Sequence, residues 1–143
     1  MPYAYRSDIA LADIAFDAWG DTPEALFATA LDALTGAMVE DPETVRPRVR
    51  RTVTLAADSL ETLLFRFLDE AVYRKDADGL FLRAERVEIR ETADGWTLAA
   101  TLAGEKPNPE RHMLSADVKA VTWHYFRLER TVRGWEATVV VDV

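Results

Sequence analysis

Two stretches of this chain carry apolar residues at helical spacing, and both lie in its first half. Leu26, Phe27, Ala30, Leu31, Leu34 and Met38 recur three and four apart, and so do Leu60, Leu63, Leu64, Phe67, Leu68, Ala71 and Val72. Most of the remainder alternates with the period of a half-buried strand. Two amphipathic helices among many strands bury their stripes most simply by lying on one face of a mainly antiparallel or mixed sheet. The fold class read from the pattern is therefore α+β, a two-layer sandwich in the order βαβαββββ.

Local signals set the boundaries. Ile9 to Trp19 reads as the first strand, with Ile14, Phe16 and Ala18 on one face and Asp13, Ala15, Asp17 and Trp19 on the other, the carboxylates turned to solvent. Thr22 and Pro23 then supply an N-cap and a first helical residue, and the helix ends between Gly36 and Glu40, before Pro42. Val45 to Leu55 carries Arg46, Arg48, Arg50 and Arg51 around Pro47. Charge and proline suit an exposed edge strand, and an anionic-ligand or RNA patch is the functional alternative. Asp58 or Ser59 opens the second helix, Asp58 with Glu61 having the spacing of a capping box, and the helix runs out at Tyr73–Asp76. Leu80–Glu91 and Trp96–Gly104 flank Ala93-Asp94-Gly95 as a hairpin, with a bulge between Leu82 and Val87 where the apolar parity slips. A strand from Asp117 to Glu129, a turn at Arg133-Gly134 and a last strand complete the chain.

Composition narrows the chemistry. A length of 143 residues suits a single domain, 1–143, able to bury a core without staples. The absence of cysteine excludes disulfides, thiolate catalysis and Cys-ligated zinc or iron-sulfur centres. Met1-Pro2-Tyr3-Ala4-Tyr5-Arg6 holds no apolar run of the signal-peptide kind, so a cytoplasmic location and no membrane partner are expected. The net charge of −8 repels phosphate backbones, and no direct nucleic-acid binding is expected. An acidic surface fits cation binding or a basic partner, or serves solubility alone. No nucleophile elbow, Gly-rich phosphate loop, His-Glu-x-x-His helix or Rossmann fingerprint occurs.

The unusual stretch is Gly104-Glu105-Lys106-Pro107-Asn108-Pro109-Glu110-Arg111-His112, followed by Val118-Lys119-Ala120-Val121-Thr122-Trp123-His124; it holds both histidines. Its order, a Gly-Glu loop, a His, then a Val-Lys-Ala-Val-Thr-aromatic-His strand, resembles the archease family. Ala12-Asp13-Ile14 leading to Trp19-Gly20 is similar to that family's first strand, and the ending Val141-Asp142-Val143 to its last.

In the final strand Asp142 falls on the polar side with Glu136 and Thr138, matching the side of Asp13 on the first strand. If the two strands are neighbours, two carboxylates meet beside the main-chain oxygen of Val143. Such oxygen donors suit a hard cation, calcium first and magnesium second; acids on solvent-facing strand positions are also commonplace. The resemblance implies a metal-binding protein, with Asp13, Asp142 and Val143 as ligands of a divalent metal, calcium or else magnesium or manganese. It places Lys119 beside the site, to balance the carboxylates or reach a partner's anionic group; alone, Lys119 reads as an ordinary strand-end charge. His112 and His124 match the family positions, as supporting groups or as histidines satisfied by local hydrogen bonds. One departure stands out: the family's His-Thr before the Ala-Asp is here Ala10-Leu11, so the site loses those donors or leans on Asp8 or Asp17, Asp8 having the wrong parity without a bulge.

By function, the resemblance implies a non-enzymatic accessory protein of the tRNA-splicing RNA ligase, which joins 2',3'-cyclic-phosphate or 3'-phosphate ends to 5'-hydroxyl ends. Such proteins promote guanylylation of the ligase's active-site histidine and its multiple turnover. The alternative is a chaperone or modulator of a tRNA-modifying enzyme such as a tRNA methyltransferase. A stand-alone metal-dependent hydrolase lacks a recognisable general base.

Overall fold

Both helices begin where a hydroxyl can accept an orphan amide. In a computed structural model, which describes residues 2–8 and 13–143, Thr22 accepts from Ala25 N ahead of α1 (Pro23–Met38), and Ser59 accepts from Thr62 N at 3.1 Å ahead of α2 (Leu60–Asp78). The cap of α2 is thus Ser59, and the Asp58–Glu61 box is not formed, because Asp58 lies one residue too early. The helix also extends to Asp78, where Gly79 in the left-handed region closes it with N–H donation to Arg74 O and Lys75 O.

Seven strands are described: β1 (Tyr3–Arg6), β2 (Ile14–Gly20), β3 (Val49–Ala57), β4 (Phe81–Thr92), β5 (Gly95–Glu105), β6 (Ala120–Thr131) and β7 (Gly134–Asp142). The architecture is α+β as expected, but the strands sort into two antiparallel sheets, ordered β1-β2-β7-β6 and β3-β5-β4. β1 is an element the alternation pattern did not separate: the first strand expected from Ile9 begins at Ile14, and the Ile9–Ala12 portion lies outside the described residues. β3 is an edge strand, in keeping with its arginines, and the register of β4 against β5 shifts between Ala84 and Arg86, inside the expected bulge.

Each helix touches both sheets. α1 lies against β2 and β4, and α2 against β3 and β6. The shared core holds Phe16, Phe27, Phe67, Leu31, Leu64 and Leu102, with the rings of Phe27 and Phe67 5.6 Å apart joining the helices. Thr35 is buried in α1 and donates to Leu82 O on β4 at 2.6 Å, so its hydroxyl pairs rather than stranding in the core. The consequence for function is topological: β2 and β7, from opposite ends of the chain, are adjacent strands.

Candidate functional site

The antiparallel register of β2 and β7 pairs Asp17 with Thr138, Ala15 with Val140 and Ile14 with Val141. Asp13 lies one residue before the first of these pairs, in a bend ahead of β2, and Asp142 is the last residue of β7. Because side chains alternate, Ala15 and Asp17 face the same side as Val140 and Thr138, with Asp142 continuing that row on β7, away from the core residues Phe16, Val139 and Val141. Pairing of β2 with β7 thus puts Asp13 and Asp142 at the same end of the four-stranded sheet. Asp142 is exposed and Asp13 half-buried.

Lys119 reaches the same sheet end just ahead of β6. Ala120 pairs with Asp142, and Lys119 N donates to Asp142 O at 2.8 Å, leaving an exposed lysine beside Val143. The segment leading to it is not a strand, as expected from Asp117, but a tethered extension. Ser115 N and Ala116 N donate to Met38 O and Ala37 O at the end of α1, and Lys75 of α2 donates to Asp117 (2.7 Å) and Val118 O (2.6 Å). Lys119 is thus held by contacts to both helices.

The carboxylates of Asp13 and Asp142 and the main-chain oxygen of Val143 are donors of the kind a hard, oxygen-preferring cation takes. Among the described residues no group of three or more His, Asp or Glu side chains forms a cage, so water or a partner would complete the coordination. Asp8 and Asp17 do not supplement it. Asp8 is taken by Arg6 at 2.6 Å, and Asp17 accepts from Thr138 Oγ1 at 2.6 Å further down the row.

The histidines lie elsewhere. His112 has a fully buried ring whose Nδ1 accepts from Asn108 N (2.8 Å), so Nε2 carries the proton and faces Thr44 O (3.1 Å) and Glu105 (3.3 Å). A ring so enclosed cannot touch a partner directly, and its part is to fix the 105–112 loop. His124 is exposed and sits in an irregular part of β6, against Tyr125. Register does not bring it to Asp13 and Asp142.

Glu105 is the residue that sequence reasoning undervalued. Its side chain is only 5% exposed and accepts from Arg46 N (2.6 Å), Arg111 Nη2 (2.5 Å) and Arg48 Nε (3.2 Å). Burial pushes its carboxyl up, but the Arg111 guanidinium and the Arg46 amide more than offset that and hold it at about 2. The residue before it, Gly104, admits no side chain: a Cβ there would lie 1.7 Å from Phe81 O. The Gly-Glu pair thus reflects a close strand approach followed by a buried charge, and the arginines of the 46–51 run, for which an anionic-ligand or RNA patch is the functional alternative, are largely engaged, Arg48 by Glu105, Arg50 by Glu85 and Arg51 by Asp78.

Two antiparallel sheets sharing two helices, with the first long strand paired to the last, define a class of small α+β domain. The chain matches the archease protein family (MTH1598/TM1083) over residues 3–143. It is 38% identical to protein archease of Methanosarcina mazei over 133 residues, covering 92% of this chain and 90% of that one, and 34% identical to protein archease of Methanopyrus kandleri over 132 residues, covering 92% and 94%. The solution structure of Methanobacterium thermoautotrophicum protein 1598 superposes with a TM-score of 0.84 at 29% identity over 99% of each chain. A Thermotoga maritima crystal structure, titled an archease and possible chaperone, shares the fold with a TM-score of 0.65 at 18% identity over 94% of this chain and 93% of that one. The chain belongs to the archease family.

Proposed function

We propose that this archease is an accessory protein of the GTP-dependent RNA ligase of tRNA splicing, promoting guanylylation of the ligase and its repeated turnover, and that the sheet end bearing Asp13, Asp142 and Lys119 is its working surface. What supports the reading is the pairing of β2 with β7, which puts Asp13 and Asp142 at one sheet end, with the Lys119 amide bonded to Asp142 O. A divalent cation held by Asp13, Asp142 and the Val143 oxygen would supply positive charge to phosphate oxygens. Lys119, exposed on a tethered segment, offers an ammonium to the same kind of group. The acidic surface otherwise keeps free RNA away, so the action is on the ligase rather than on the transcript.

Single-turnover guanylylation of a ligase, with GTP and manganese, tests this. The account expects faster guanylylation with the wild-type protein and loss of that stimulation with Asp142→Ala. Undiminished stimulation by Asp142→Ala would remove its basis. A second reading, a chaperone or modulator of a tRNA methyltransferase, is favoured by the exposure of Met113 (68%) and Leu114 (57%), apolar side chains on the tethered segment. Light scattering of a heat-stressed methyltransferase would show protection by wild type and Asp13→Ala alike if that reading held.

A further inference from the structure

The irregularity in β6 carries an unassigned surface. Between the pairs Thr122–Val140 and Arg127–Thr138 the register slips, so Trp123, His124, Tyr125 and Phe126 are accommodated where β7 offers one residue, Val139. Tyr125 occupies the left-handed region at φ 54°, a conformation a bulky residue adopts only under constraint. The detour lays Trp123 flat on Phe65 of α2, ring centroids 4.0 Å apart and planes within 3°, while Phe126 meets both rings edge-on. Although one face is covered by Phe65, Trp123 is still 51% exposed and Tyr125 60%. A tryptophan braced from below and open above is a rigid anchor at low entropic cost.

The helix beside it is acidic. Glu61 and Asp69 lie four residues either side of Phe65 and so share its face; both are exposed, and among the described residues neither enters an ion pair, whereas Glu70 is taken by Arg74 at 3.0 Å. The chain's other arginine-tryptophan contacts show what this arrangement accepts: Arg133 lies over the Trp19 ring at 4.2 Å and Arg130 over Trp135 at 5.4 Å. No such cation is found over Trp123 among the described residues.

We propose that Trp123, Tyr125 and the Glu61–Asp69 face of α2 form a docking platform for an arginine-bearing segment of a partner protein. The guanidinium stacks on the open indole face while its N–H groups reach the flanking carboxylates, a pairing that arginine's plane satisfies and lysine's ammonium does not. A nucleic acid could stack bases on the same rings, but its phosphates would meet Glu61 and Asp69 in a chain of net charge −8. The platform shares no residue with the Asp13–Asp142 end.

The test is an NMR titration of the full chain, following the Trp123 indole N–H and the amides of residues 61–69, with the peptide acetyl-Gly-Arg-Ala-Leu-Arg-Gly-amide, its lysine counterpart, its glutamate counterpart and a short oligouridine. The expected result is saturable shifts at Trp123, Phe65 and Asp69 with the arginine peptide, several-fold weaker binding of the lysine peptide, and none with glutamate or RNA. Asp69→Asn and Trp123→Ala should each weaken the arginine peptide about fivefold or more, with the Trp19, Trp96 and Trp135 signals of each variant confirming the fold. Shifts scattered over the whole acidic surface, equal binding by Asp69→Asn, or saturation of these resonances by oligouridine would overturn the proposal. So would a peptide-independent dimer burying Trp123, detected by sedimentation, which would assign the platform to a second copy.

Discussion

Replacing Glu105 by Gln exchanges one carboxylate oxygen for an NH2 group of nearly the same size, yet it should be among the costliest polar substitutions in this fold. The carboxylate accepts from Arg46 N, Arg48 and Arg111 at once while its side chain is 5% exposed. A glutamine keeps one acceptor oxygen and turns an NH2 group toward donors, so either the Arg46 amide or Arg111 loses its partner. Breaking one side of a buried, hydrogen-bonded charge pair costs about 3–5 kcal/mol, and the partial exposure of Arg111 and Arg48 moves the figure toward the low end, about 3 kcal/mol. The titration gives the same scale: a carboxyl held at about 2 against its ordinary 4.5 favours the folded, ionised form by roughly 3 kcal/mol. Because the folded value is depressed, this stability is fully present above the unfolded value and is lost as pH falls toward 2. Urea unfolding of wild type and Glu105→Gln at pH 7 should therefore differ by about 3 kcal/mol, roughly 10 °C in Tm. The gap should shrink to roughly half or less at pH 3. A difference below about 1 kcal/mol at pH 7 would refute the buried-charge account. A full loss that does not change with pH would assign the effect to shape rather than charge.

Three further outcomes follow from the same geometry. Gly104→Ala puts a methyl 1.7 Å from Phe81 O, so β4 and β5 must separate locally; thermal denaturation should show destabilisation of roughly 3 kcal/mol or more, or insoluble protein. Thr35→Val keeps the volume but removes the hydroxyl bonded to Leu82 O, and should cost about 1–2 kcal/mol by urea titration at pH 7. Millimolar calcium should raise the Tm of the wild-type chain and not that of Asp142→Asn, in which relief of carboxylate repulsion should leave the metal-free Tm unchanged or slightly higher. A calcium shift retained by Asp142→Asn would place the cation elsewhere.

The helices were legible because each signal is local: an apolar stripe, a hydroxyl cap, a proline at N1. β1 was not, since Tyr3–Arg6 is four residues long and is held by pairing with β2 and by Tyr5 Oη donating to Ala33 O, both decided by tertiary packing. Period-two counting placed Asp13 and Asp142 on matching faces, but it could not say that β2 and β7 are neighbours; that depends on chain closure, and only the resemblance spoke to it. Glu105 escaped because glutamates are rarely buried, and its partners come from three separate segments. The β6 detour was not legible, because Trp123-His124-Tyr125-Phe126 places three aromatics around one histidine and alternation does not fix the parity where the register slips.

If Asp13 and Asp142 hold one cation, they act as one unit on the ligase. The most direct test of this claim is a double-mutant cycle in the single-turnover guanylylation assay, comparing wild type, Asp13→Asn, Asp142→Asn and the double variant, each checked for an unchanged fold. Groups that hold one ion fail together, so each single variant should lose nearly as much stimulation as the pair. Losses that simply multiply, or single variants that stimulate as wild type does, would contradict the claim and leave the sheet end as a solvated acidic edge.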